Sequence, residues 1–338
     1  MGIKAFITGV AGTSLSDEER YFIDQEHPWG LILFARNIEE PRQVHRLVDE
    51  FREGVGRGNA PVLIDQEGGR VQRLRPPHWS NYATGRQLGD LWRHDPKAGE
   101  EAIRLHSRLI AHDLVSLGIN VDCLPVLDVP VAGSHDVIGD RAYSTDPQEV
   151  AVMGRMACEG LLEGGVLPVI KHIPGHGRAG ADSHLELPEV HAGHEVLSAT
   201  DFVPFKALSD MPLAMTAHVR FHAFDPQNPA TVSKHIVENI MRGEIGFDGL
   251  LMSDDLSMQA LEGELADRAE ASIAAGCDMI LHCNGEMREM EEVASVCPVL
   301  EGRALERAQA AEAMLREPGE FDVDAARARY RDLLEPSV

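Results

Sequence analysis

Chemistry concentrates in a few short stretches of this chain. The densest is KHIPGHGRAGADSHLELP, residues 171–188, with three histidines, three glycines, two prolines and the pair Asp182-x-His184. Imidazole titrates near neutral pH, and a nearby carboxylate can orient it and stabilise its protonated form. Those are the needs of a general acid/base, here His184 steered by Asp182. The same stretch offers His172, His176, Asp182 and His184 as metal ligands, but the spacing fits neither a His-Glu-x-x-His helix nor a familiar zinc set. Plain surface histidines on a flexible loop are the third reading. A second stretch, Gly249 to Leu256 (GLLMSDDL), is an apolar run ending in two acids. Successive strand side chains point to opposite faces, so one of Asp254 and Asp255 faces inward. That carboxylate suits a nucleophile toward an anomeric carbon or a metal ligand, and Asp255 suits a helix N-cap. The third stretch runs from Asp65 to Arg73 (DQEGGRVQR), with two glycines that let backbone approach a ligand and an arginine fork. Arg141 is a fourth candidate. With Arg73 and Lys171 it would form a cationic pocket for a polyhydroxylated or carboxylate-bearing ligand.

The elements around these residues form a regular series. Near-continuous apolar runs fall at 3–10, 31–36, 61–67, 120–129, 166–172, 213–219, 249–255 and 277–283. Parallel strands covered on both faces have this character. Helical patterns lie between them at 41–57, 98–117, 147–163, 234–245 and 264–275, with Pro41 and Pro147 as first-turn residues and Gly118 and Gly276 as stop signals. The tail from about 301 reads as terminal helices. Eight strands alternating with helices predict an α/β fold, a single (β/α)8 TIM-type barrel spanning 1–338. A doubly wound sheet is the runner-up, but no Gly-x-Gly-x-x-Gly follows the first strand. In such barrels catalytic groups sit at the C-terminal strand ends. Asp65-Gln66-Glu67, Asp128, Lys171-His172, His218, Asp254-Asp255 and His282 all stand where apolar runs stop.

Composition narrows the function classes. The chain has 338 residues, 31 basic and 55 acidic, for a formal charge of -24. So acidic a chain lacks the electrostatic footprint of a nucleic-acid binder, and anionic membrane surfaces repel it. Five cysteines with no Cys-x-x-Cys pair suit a reducing compartment. No apolar run approaches 18 residues, and residues 3–12 read as a first strand rather than a signal peptide. A cytoplasmic location is expected.

DQEGGRVQR (65–73), LPVLDV (124–129), KHIPGHG…DSH (171–184), GFDGLLMSDDLSM (246–258) and AGCDMIL (275–281) resemble glycoside hydrolase family 3. More narrowly, they resemble its bacterial β-N-acetylhexosaminidases of cell-wall recycling. The likeness runs to about residue 285, and one departure is Ile173, where the family usually has Phe. The resemblance implies Asp254 as nucleophile, His184 as acid/base and Asp182 as its partner. It implies Asp65, Arg73, Arg141, Lys171 and His172 as the groups that hold the terminal sugar. It also implies a single-barrel monomer that needs no metal and no organic cofactor. The substrate it implies is N-acetylglucosamine β-linked to 1,6-anhydro-N-acetylmuramic acid, with or without peptide. Other chemistries on the same residues are a substrate-assisted or phosphorolytic hexosaminidase, a metal-dependent barrel hydrolase using His172, His184, His218 and Asp254, and a sugar-binding protein without catalysis.

Overall fold

The computed structural model describes residues 2–183 and 185–335. Eight parallel strands close into a barrel: β1 (Lys4–Thr8), β2 (Pro28–Leu33), β3 (Val62–Ile64), β4 (Val121–Asp122), β5 (Leu167–Ile173), β6 (Leu213–Thr216), β7 (Leu250–Asp255) and β8 (Met279–His282). Each strand pairs with its sequence neighbours, and β1 pairs with β8 through Phe6–Ile280 and Ile7–Leu281. All eight apolar runs therefore become barrel strands. Most are shorter than the runs. In 120–129, Pro125 lacks an N–H, so the regular ladder stops at Asp122 and pairing continues through separate backbone contacts of Cys123, Leu124, Pro125 and Leu127 and an isolated bridge from Val126 to Lys171.

Alternation along the strands separates two packing layers. Leu63, Leu167, Val169, Leu250 and Met252 belong to the cluster shared by the barrel strands, whereas Ile64, Ile170 and Leu251 pack outward with the helices. Leu300, Ala308 and Ala311 join the inner cluster, so the helix Gly302–Glu312 covers the end of the barrel where the strands begin. Trp29 Nε1 donates to Glu312 Oε1 at 2.8 Å there.

Local sequence accounts for the helix boundaries. Asp95 accepts from the amides of Lys97 and Ala98, with Pro96 in the first turn, so the expected helix at 98–117 occupies Pro96–Val115 and its chain reverses at Gly118, φ +80°. Asp146 and Pro147 start Pro147–Glu163 in the same way, and Gly276 (φ +113°) ends Leu265–Ala275. The pattern at 234–245 winds as a π-helix over Ile236–Glu244. The tail supplies Gly302–Glu312 and Val323–Leu334. Arg327 and Tyr330 of the latter reach Asp113 and His106 on Pro96–Val115, both at under 3 Å. No helix among the described residues is long and apolar enough to cross a membrane.

Two substitutions test this account by urea unfolding. Asp95→Ala removes a cap and should cost about 1 kcal/mol. Leu250→Ala opens a void inside the barrel and should cost about 2–5 kcal/mol.

Candidate active site

Strand parity delivers the site. Asp65 continues the inward row of Leu63, Lys171 that of Leu167 and Val169, and Asp254 that of Leu250 and Met252. Interior positions that are apolar in the barrel become charged where the strands reach the mouth. There a cavity of about 250 Å³ is lined by Asp65, Arg73, Arg141, Lys171, His172 and Asp254, among others. Every substrate-binding residue expected from the sequence, and the expected nucleophile, thus face one space. Asp182 is half-buried in the loop after β5, beside Ser183, which lines the cavity. His184 lies outside the described residues.

Lys171, 2% exposed, is the hub of an ionic cluster. Its Nζ donates to Asp65 Oδ1 at 2.8 Å and lies 2.7 Å from Glu67 Oε1. Asp65 also accepts from Arg73 Nη2 at 3.0 Å, and Glu67 takes a two-pronged contact from Arg141 at 2.8 and 2.9 Å. Burial alone would raise the pKa of Asp65, but Lys171 and Arg73 outweigh it and hold the carboxyl well below its usual range. Burial opposes ionisation of Glu67 as well, yet Arg141 and Lys171 bring it down to about 2. Burial works against the Lys171 charge, and the two carboxylates overcome it, so its pKa is raised. Three cations against two anions leave one positive charge within a chain of net charge -24.

The turn chemistry of 65–73 holds this cluster. Gln66–Gly68 and Val71–Gln72 form a hairpin, with Gly68 (φ +97°) and Gly69 (φ +57°) at its turn. A Cβ on Gly68 would lie 2.2 Å from the Ala83 carbonyl. Gly68 thus admits the Ala83 backbone and Gly69 the Thr84 side chain. Arg70 donates to Asp140 and to the carbonyls of Asp136, Val137 and Ile138, which ties the hairpin to the loop that presents Arg141. Arg73 stacks over Phe34, its guanidinium carbon 5.1 Å from the ring centre.

His172 is oriented by a buried acid. Its Nδ1 lies 2.6 Å from Asp128 Oδ2, and Asp128 Oδ1 accepts from the amides of His172 and His176. Burial would raise the Asp128 pKa, but His172 and these hydrogen bonds lower it to about 2. Nε2 of His172 is the ring nitrogen left for the cavity. Burial brings the His176 pKa down to about 4, so its ring is neutral near pH 7, and its Nε2 lies 3.2 Å from Ser183 Oγ.

At the end of β7 the two acids differ. Asp255 Oδ1 accepts from the amides of Ser257 and Cys283, and Oδ2 accepts from Ser257 Oγ. It caps a turn and not a helix, because the next helix begins at Leu265. Asp254 Oδ1 accepts only the Asp255 amide, at 2.8 Å, and among the described residues its carboxylate has no ion-pair partner. Burial disfavours its charge, but His218, His172 and the Asp255 N–H outweigh that and lower its pKa. Both ring nitrogens of His218 are engaged, by Thr231 Oγ1 at 2.7 Å and the Asp255 carbonyl at 3.0 Å. A metal reading that uses His218 would have to break one of these bonds.

Glu67 and Asp128 hold the site and had no assigned role from the sequence. Both stand at strand ends inside the motifs DQEGGRVQR and LPVLDV, and that position was the available signal.

The ionic cluster predicts acid sensitivity. The folded pKa of Glu67, about 2, lies below its ordinary value of 4.5. Its contribution to stability is therefore full above pH 4.5 and is lost as pH falls toward 2. Unfolding free energy measured by denaturant titration should drop over that window, and Glu67→Gln should flatten the drop while lowering stability at pH 7.

Residues 6–316 match the glycosyl hydrolase family 3 N terminal domain. The chain is 40% identical over 288 residues to a β-hexosaminidase of Alkalilimnicola ehrlichii, covering 84% of this chain and 82% of that one. It is 37% identical over 308 residues to a β-hexosaminidase of Xanthomonas euvesicatoria, covering 89% of each. NagZ of Neisseria gonorrhoeae, solved in complex with N-trifluoroacetyl-D-glucosamine, superposes with a TM-score of 0.89 at 31% identity, over 99% of both chains.

Proposed function

This chain belongs to glycoside hydrolase family 3, and from that premise we propose that it is a retaining exo-β-N-acetylglucosaminidase acting through Asp254. One observation carries the reading. Among the cavity carboxylates, Asp65 is paired with Lys171 and Arg73 and Asp255 is occupied by a turn, while Asp254 is held ionised without a cationic partner among the described residues. A carboxylate in that state is ready to attack an electrophilic carbon.

In the proposed reaction a sugar ring lies over the ionic cluster. Asp65 accepts hydrogen bonds from ring hydroxyls, while Arg73, Arg141 and Lys171 donate to oxygen atoms of the sugar and its acetamido group. Nε2 of His172 faces the same ring. This grip sets the anomeric carbon against Asp254. The carboxylate forms a bond to that carbon as the bond to the leaving oxygen breaks, and protonated His184 gives its proton to that oxygen. A glycosyl-aspartate results. Water then attacks the anomeric carbon, His184 takes the water's proton, and Asp254 is released with net retention. Asp182 keeps the imidazolium oriented and stabilised.

The leaving group we propose is 1,6-anhydro-N-acetylmuramic acid, with or without peptide, as in peptidoglycan recycling in the cytoplasm by a monomeric enzyme. The names of the β-hexosaminidase relatives and the N-acyl glucosamine held by the structural neighbour support the sugar. The muramyl side rests on the sequence resemblance.

Hydrolysis of a chromogenic N-acetyl-β-glucosaminide should fall to background in Asp254→Asn and by about 10²–10⁴-fold in His184→Ala, which removes the acid/base. A 2-fluoro glycoside should add its glycosyl mass to the peptide containing Asp254. A substrate-assisted enzyme would give no such adduct, and turnover that requires phosphate would make the reaction phosphorolysis. Release of N-acetylglucosamine from the anhydro disaccharide, faster than from chitobiose, would establish the muramyl preference.

A further inference from the structure

Beyond the barrel mouth, a short parallel ribbon gathers metal-ligating side chains. Glu189–Val190 pairs with Arg220–Phe221 in the register Glu189–Arg220 and Val190–Phe221, and the His222 amide donates to the Val190 carbonyl at 3.0 Å. His222 therefore stands beside His191. Positions two apart on a strand share a face, so Glu189 and His191 project with Arg220 and His222. Val190 and Phe221 face the other way and are buried in the core, which anchors the ribbon. The two imidazoles stack with centres 4.2 Å apart and planes 25° from parallel.

We propose that Glu189 Oε2, His191 Nε2 and His222 Nε2 form a binding site for a borderline divalent transition metal, zinc above all. Each residue offers a ligand atom and the three atoms lie within 4.8 Å of one another. Bonds of about 2.0–2.1 Å in a tetrahedral site put ligand atoms roughly 3.3–3.4 Å apart. Glu189 Oε2 is 3.2 Å from His222 Nε2 and 3.5 Å from His191 Nε2, so two of the three edges already have the tetrahedral length. His222 Nε2 is buried, and its close contact with Glu189 Oε2 is not aligned as a hydrogen bond, so a metal between the two would use a pair that is already drawn together.

The set is selective by its chemistry. Two imidazoles and one carboxylate suit zinc, nickel or copper, whereas calcium and magnesium demand more oxygen atoms. Three protein ligands leave a fourth position for water or another ligand. Arg220 Nη1 holds the other oxygen, Glu189 Oε1, at 2.7 Å. Its charge opposes a cation, while its hydrogen bond fixes the carboxylate with Oε2 turned toward the imidazoles. The site lies at the downstream end of the loop that follows β5 and joins it to the segment after β6. None of the three ligands belongs to the proposed catalytic machinery.

The test is zinc bound per chain after equilibrium dialysis, read by elemental analysis on the full protein. Wild type should retain one zinc more than His222→Ala and one more than His191→Ala, while both variants keep metal-free hydrolysis of the chromogenic substrate. Any zinc taken up elsewhere on the chain would be common to all three proteins and cancel in the difference. His191 is exposed, so its variant remains informative if His222→Ala folds poorly. Equal zinc in wild type and His191→Ala overturns the site. Displacement of the extra zinc by a thousandfold excess of magnesium or calcium overturns the proposed selectivity.

Discussion

Lys171 carries a full charge at the inner rim of the barrel with almost no access to water, and two carboxylates answer it. Isolated burial of such a group would cost several kcal/mol, and only close, well-aligned partners offset that. One partner, Asp65, directly follows β3, and the other, Glu67, comes from the hairpin after it. Glu67 then recruits Arg141, and Arg70 of the same hairpin fastens the loop on which Arg141 sits. One ammonium thus determines where three segments meet. Arg141 depends on Glu67 alone, so removing that acid would leave a buried guanidinium without its counter-charge.

The pleat does the rest. A single change of parity would turn Asp254 toward the helices and bring Asp255 into the barrel. Because Leu250 and Met252 need the interior and Leu251 needs the helix layer, the apolar pattern of β7 selects which of the two acids meets a ligand. The neighbouring acid is consumed by amides at the strand end. Two chemically identical residues therefore receive different work from their order in the chain.

These features were unevenly legible in the sequence. The eight apolar runs read directly as strands because each is buried on both sides. The helix Pro147–Glu163 was legible to its ends, since proline and paired glycines mark them. Asp17–Glu26 is hard to read although Ser16 and Glu19 form a capping box, because its surface is so polar that its apolar stripe is thin. At the site, motif likeness pointed to the residues that line the cavity. It did not assign Asp128 and Glu67, which act by holding other side chains: that role depends on which distant segment arrives beside them. The role of the two glycines after Glu67 is hidden for the same reason, since Gly68 accommodates Ala83 and Gly69 accommodates Thr84.

The ring itself has a timing consequence. β1 cannot acquire its second neighbour until β8 exists, and Phe6 meets Ile280 only after most of the chain is made. During synthesis the partial sheet exposes two unpaired edges, and contacts so distant in sequence form slowly. The inner cluster also stays unsealed at its base until Leu300, Ala308 and Ala311 arrive. A ribosome that stalls before residue 279 would release an open, sticky sheet rather than a smaller enzyme, so completion of this protein is all or nothing in a way that its smooth alternation of strand and helix conceals.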